Sequence, residues 1–127
     1  MLESLSGASV DVTFISFDEL LEHGIPADID VIINAGDANT AFSGGDIWKN
    51  EMLVSMLRAW VYSGHGLVGI GEPTACEHGG RFFQLADAFG VDKELGFTLH
   101  TDKYFHTPAD SHFITEDVVE PLDFGEG

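Results

Sequence analysis

Residues Gly66 to Gly90, GLVGIGEPTACEHGGRFFQLADAFG, constrain the fold more than any other stretch of this chain. Leu67 to Ile70 is a short apolar run flanked by glycines, which predicts a buried strand. Glu72 and Pro73 head a polar turn. Phe82, Leu85, Ala86 and Phe89 then recur at helical spacing with Gly90 as the stop, which predicts an amphipathic helix. Strand, turn and helix in that order call for a layered α/β arrangement, and the flanking segments carry the same alternation.

Upstream, Val10 to Ile15 (VDVTFI) alternates and predicts a strand with Val10, Val12 and Phe14 on one face. Ser16-Phe17-Asp18-Glu19 has the form of a capping box, Gly24 closes the helix it opens, and Pro26 forbids a restart. Asp30 to Asn34 (DVIIN) reads as a strand covered on both faces. The loop Ala35 to Gly45 is longer than the usual connection of a few residues, which marks it as functional or flexible. From Asp46 to about Ser63 the period becomes 3.6, with Leu53, Met56, Leu57, Trp60 and Val61 as the stripe and Gly64 and Gly66 as the end.

Beyond Val91 the pattern weakens, with Gly96–His100 and His112–Ile114 as short strand candidates. MLESLSG resembles the last turn of a helix and DFGEG ends without a cap, so residues 1–127 are expected to be a single domain truncated at both ends. Strands alternating with helices predict a three-layer α/β domain with a parallel sheet. Right-handed crossovers put the turns after Ile15, Asn34 and Ile70 on one edge, where ligands of open sheets bind. The Gly36–Gly45 loop and the Glu72–Gly80 turn are therefore expected to be neighbours.

The charge narrows the partners. Twenty-two acidic residues against 5 basic give a net charge of -17, which disfavours nucleic acid and anionic lipid. Phosphate groups would need cations, and the chain offers only Lys49, Arg58, Arg81, Lys93 and Lys103. No apolar run approaches the ~20 residues of a membrane helix, and MLESLSGASV has neither the basic nor the apolar region of a signal peptide. The lone Cys76 excludes an internal disulfide and suits a reducing, cytoplasmic compartment.

Glu72 stands where a nucleophile elbow would place its Ser or Cys, but Gly69-Ile70-Gly71-Glu72-Pro73 is not G-x-S-x-G. Pro73 lacks the amide that would serve an oxyanion hole, and Cys76 falls four residues late. A structural acid holding the turn is the simpler reading of Glu72; a hydrolase using Cys76 is the alternative. A single G-x-G followed by Glu-Pro argues against a dinucleotide. His100, His106 and His112, six apart, and the lone neighbours Glu77 and His78 match no metal-ligand spacing, and the acids Asp102 to Asp117 form no calcium loop. No cofactor is expected. Asp37, Asn39, Thr40 and Ser43 gather around Phe42 in the long loop. Hydrogen-bonding groups beside an aromatic suit a neutral sugar, while the same residues also make turns and caps. Both readings stand on the residues alone.

The segments DVTFISFDEL, DVIINAGDANTAFSGG, GLVGIGEP, GGRFFQLADAFGVDKELGFTLHTDKY and SHFITED carry a resemblance to the central domain of the lacto-N-biose phosphorylases (1,3-β-galactosyl-N-acetylhexosamine phosphorylases, glycoside hydrolase family 112). The resemblance covers nearly the whole chain. It implies a class I glutamine-amidotransferase-like, flavodoxin-like domain without the catalytic Cys of that fold, set between a catalytic TIM-type barrel and a β-rich domain. It implies a parent reaction in which phosphate cleaves a β-galactoside to galactose 1-phosphate and the free acceptor sugar. The general acid then belongs to the barrel. Because phosphate itself attacks from the far face, inversion needs only one protein carboxyl group. On this resemblance the domain is non-catalytic, with Asp37, Asn39, Thr40, Phe42, Ser43 and Glu72 as candidate walls of the acceptor subsite; a purely structural interaction domain and a homo-oligomer stay open.

Overall fold

The computed structural model describes residues 10–37, 44–93, 105–106, 112–113, 115–116 and 122–123. The chain divides into two compact units, Met1–Leu95 and Gly96–Gly127.

In the first unit Ser16 opens helix α1 (Phe17–His23) through the expected capping box: the Glu19 amide donates to Ser16 Oγ at 3.2 Å, and the Ser16 amide donates to Glu19 Oε2 at 2.9 Å. Strand β1 (Val31–Gly36) follows. The segment expected to be one long helix from Asp46 is two pieces. A 3-10 turn, Gly45–Lys49, precedes α2 (Glu51–Tyr62). Asn50 divides them because its Oδ1 accepts the amides of Met52 (3.0 Å) and Leu53 (3.3 Å), two donors that a helix start leaves without partners. Strand β2 (Gly66–Gly71) returns parallel to β1, with Val31 opposite Gly66 and Gly36 opposite Gly71. The β1–α2–β2 crossover is the parallel unit anticipated from the alternation.

Two expectations fail in this unit. Val10 to Ile15 is not a strand, and Val10, Val12 and Phe14 are exposed. Alternation defines a face but supplies no backbone partner, and among the described residues the parallel sheet has only the order β1–β2. Of the helix expected over Phe82–Phe89 only the second half forms, as the short α3 (Ala86–Phe89); Phe82 and Phe83 lie instead in a hairpin, β3 (Ala75–His78) against β4 (Arg81–Phe83). Gly79 and Gly80 make the two-residue connection, with φ of 62° and 77°. Two consecutive positive φ values define the turn whose twist matches a hairpin, and glycine adopts them without steric cost. Gln84 fastens the hairpin: its Nε2 donates to the carbonyls of Cys76 (2.6 Å) and His78 (3.2 Å).

The core is Leu20, Trp48, Leu53, Val54, Leu57, Cys76 and Leu85, with Ile32 and Leu67 of the two strands packed against it. Each fully buried aliphatic side chain contributes about 1.5–3 kcal/mol. At the rim Arg58 Nε and Nη2 donate to Asp87 Oδ2 (2.6 Å) and Oδ1 (3.2 Å), fastening α2 to α3. That fork holds the Asp87 carboxyl below its ordinary range. A depressed carboxylate stabilises the fold above its unfolded pKa of about 4, and the contribution disappears as pH falls through the lower folded value. Asp87→Asn is therefore expected to cost about 0.5–1 kcal/mol at pH 7, and to cost nothing at pH values below both pKa values, as read from urea unfolding at each pH.

In the second unit, β5 (Phe105–His106) pairs antiparallel with β6 (Leu122–Asp123). His112 and Phe113, expected in a strand, lie in a turn closed by the Thr115 amide and Oγ1, which donate to the His112 carbonyl at 2.8 and 3.2 Å. The expected strand Gly96–His100 and the opening MLESLSG lie outside the described residues.

Candidate functional site

The carboxyl ends of β1 and β2 meet at Gly36 and Gly71, so the loops that leave them start side by side. The Glu72 amide donates to the Gly36 carbonyl at 2.6 Å, extending the contact one residue past the ladder. Asn34 then reaches across: its Oδ1 accepts the Thr74 amide at 2.9 Å. Thr74 is fully buried with φ of 56°, a left-handed value uncommon outside glycine. Its carbonyl accepts the Gln84 amide at 3.1 Å, and its Oγ1 accepts the Leu85 amide at 3.4 Å. The turn is thus tied both to β1 and to the segment after the hairpin. Asn34 was read from the sequence only as a strand end; an amide closing an otherwise apolar run is the signal that marks it.

Glu72 Oε1 forms an ion pair with Lys93 Nζ, and the Lys93 ammonium stands 4.8 Å from the centre of the Phe82 ring. Beside this pair lies an open, mainly apolar cleft of about 220 Å³, lined by Gly69, Gly71, Pro73, Phe83, Phe89 and Val91. The sequence shows Lys93 only as one of five cations and gives no sign of the cleft, because both join residues of β2 and its turn to the distant Phe83–Lys93 segment. Asp37 follows β1 directly and is exposed. Asn39, Thr40, Phe42 and Ser43 lie outside the described residues. An apolar floor next to charged and amide groups offers a sugar a stacking surface and hydrogen-bond partners at once.

Cys76 has no access to this edge chemistry. It is 1% exposed on β3, with its Sγ 3.9 Å from Asp46 Oδ1, and Asp46 in turn is paired with Lys49 at 3.0 Å. Burial pushes its thiol pKa up, against the smaller opposing pull of Lys49. The nucleophilic form of cysteine is the thiolate, which this setting disfavours. Among the described residues no three His, Cys, Asp or Glu side chains gather to hold a metal ion, and no helix is long and apolar enough to cross a membrane.

These features define a small mixed α/β chain in which a parallel pair presents two loops and a cleft at its carboxyl edge. The lacto-N-biose phosphorylase central domain model matches residues 1–127, and the chain belongs to that family. The resemblance carried by the five quoted segments holds. The chain is 57% identical over 124 residues to a 1,3-beta-galactosyl-N-acetylhexosamine phosphorylase of Bifidobacterium longum subsp. longum, covering 95% of this chain and 16% of that protein. It is 51% identical over 128 residues to one from Lachnoclostridium phytofermentans, covering 100% of this chain and 18% of the relative. A D-galactosyl-beta-1->4-L-rhamnose phosphorylase of the same organism is 35% identical over 124 residues, covering 98% and 16%. The chain thus spans less than a fifth of the length of the curated relatives it matches.

Proposed function

We propose that this chain is the non-catalytic central domain of a galactosyl-N-acetylhexosamine phosphorylase, an enzyme that uses phosphate to cleave a β-1,3-galactoside into galactose 1-phosphate and N-acetylhexosamine. The reacting carboxyl group and the phosphate clamp lie in a catalytic barrel of the same cytoplasmic polypeptide. The central domain has the three-layer, amidotransferase-like architecture, and its carboxyl edge walls the acceptor subsite with Asp37, Asn39, Thr40, Phe42, Ser43 and Glu72. The observation that carries the non-catalytic half is Cys76, whose thiol is buried and whose pKa burial pushes up, so that the nucleophilic thiolate is disfavoured. Identities of 50–57% with three phosphorylases of one specificity support the substrate class.

In the full-length phosphorylase, Cys76→Ala is expected to leave kcat and KM for both substrates within twofold, and iodoacetamide directed at this residue is expected to have no effect on turnover. A hydrolase built on Cys76 would lose all activity in both tests. Asp37→Ala and Glu72→Gln are expected to raise acceptor KM by roughly three- to tenfold in the synthetic direction, the worth of one sugar hydrogen bond, with KM for galactose 1-phosphate unchanged. Unchanged acceptor KM in both variants would remove the two loops from the subsite.

A further inference from the structure

Lys93 stands at the cleft on a short strap that the fold holds in place. Asp92 Oδ1 accepts the amides of Phe82 (3.3 Å), Phe83 (2.8 Å) and Lys93 itself (2.9 Å), which fastens the strap to the hairpin. From there Val91 lines the cleft, and the Lys93 ammonium pairs with Glu72 Oε1 while standing over the Phe82 ring. Arg58 and Arg81 are engaged with Asp87, and Lys49 with Asp46, so among the described residues Lys93 is the cation at the cleft. In a chain of net charge -17 that placement decides the local charge. Asp37 follows Gly36, whose carbonyl takes the Glu72 amide, so without Lys93 this edge would be negative. With Lys93 in place, the Glu72 carboxylate is neutralised where its side chain is only 24% exposed.

We infer that Lys93 is a specificity-determining residue: by neutralising Glu72 beside an apolar cleft, it sets the acceptor wall to take an uncharged N-acylated amino sugar and to reject the free amino sugar. The inference rests on the acceptor-wall reading of Glu72. The two sugars differ by one charge and one acetyl group. A free sugar amine titrates at about pH 8, as an α-amino group does, so below that pH it is mostly ammonium. Such an ammonium would meet the like charge of Lys93 and lose hydration against Pro73, Phe83 and Phe89, and an unpaired charge is costly to bury. The N-acetyl form carries no charge, and its methyl group suits an apolar lining. A Glu72 carboxylate without Lys93 would attract the ammonium instead. The ion pair, not the acid alone, therefore separates the two sugars.

The test uses the full-length phosphorylase in the synthetic direction, with N-acetylglucosamine as acceptor and glucosamine as competitive inhibitor. The quantity read is the glucosamine Ki divided by the N-acetylglucosamine KM, at about pH 6.5 and about pH 9, on either side of the amine's titration. Lys93→Gln is expected to lower that ratio about fivefold at the lower pH, the upper end of what an exposed ion pair is worth. At the higher pH, where the sugar amine is neutral, the same variant is expected to leave the ratio unchanged. Lys93→Arg keeps the charge and is expected to keep the parent ratio at both pH values. Lys93→Gln combined with Glu72→Gln is expected to return to it, because no uncompensated carboxylate remains. A merely structural Lys93 would not give an effect that depends on the charge of the sugar. An unmoved ratio in Lys93→Gln at the lower pH overturns the proposal, as does an equal shift at both pH values or a shift that survives in the double variant. If Lys93→Gln fails to fold, Lys93→Met takes its place. An unchanged acceptor KM in Glu72→Gln would refute the acceptor-wall reading itself. A raised KM there, with an unmoved ratio in Lys93→Gln, would refute the role of Lys93 and leave that reading standing.

Discussion

Trp48→Ala is expected to destabilise the first unit by about 3–5 kcal/mol, the usual range for deleting a buried aromatic side chain. Trp48 is 2% exposed at the end of the 3-10 turn, and its ring meets Phe17 of α1 edge-on at 5.2 Å and 80°. It is therefore the link by which a short turn holds α1 against the rest of the core. Cavity formation adds to the lost transfer energy, because Leu53 and Leu57 on the rigid α2 are themselves fully packed and have little freedom to collapse inward. Trp60→Ala provides the contrast. Trp60 is half-buried and stacked on His65 at 4.7 Å, so its loss is expected to cost about 1 kcal/mol. Hydrogen exchange of the α1 amides in the full-length enzyme separates the two, with a large loss of protection for Trp48→Ala alone. Equal effects would mean that the core does not depend on the turn.

What could be read ahead of the coordinates divides along physical lines. The capping box at Ser16 and Glu19 was legible because its partners are three residues apart, and no tertiary contact is needed to form it. The β1–α2–β2 crossover was legible because apolar runs and a 3.6-residue stripe alternated cleanly. Phe82, Leu85, Ala86 and Phe89 satisfy the helical period, and Ala86–Phe89 is helical with Gly90 as its stop, but at Phe82 the local Gly79-Gly80 pair outweighs the pattern, because its backbone freedom makes a hairpin there. Trp48 was missed because the stripe was sought on one helix, while Asn50 interrupts that helix and lets the preceding turn aim a second apolar group at the core. At the site, the meeting of the two loops followed from parallel topology, but Asn34–Thr74 and Glu72–Lys93 are contacts between residues 40 and 21 apart, which no periodicity encodes. Of the loop candidates only Asp37 and Glu72 fall among the described residues.

Gly69→Ala is expected to be the most informative change at the carboxyl edge. A Cβ at this position would stand 2.4 Å from Pro73 Cγ, 2.9 Å from Pro73 Cβ and 3.1 Å from Phe89 Cε1. Those proline atoms belong to a closed ring on a buried residue, so rotamer change offers no relief. Pro73 is followed by Thr74, which Asn34 and the Gln84–Leu85 amides hold in place. The added methyl therefore has to displace the turn or the strand, at a cost of about 1–3 kcal/mol. The cleft floor moves with the turn, since Gly69, Pro73 and Phe89 line it together. On the proposed acceptor-wall role, a displacement of about 1 Å is expected to lower kcat/KM for the acceptor by tenfold or more, while KM for galactose 1-phosphate stays fixed. Stability and kinetics then answer different questions. A lower unfolding midpoint with unaltered acceptor kinetics would keep the tied elbow and discard its contact with the sugar, whereas no change in either would show that the turn yields without cost.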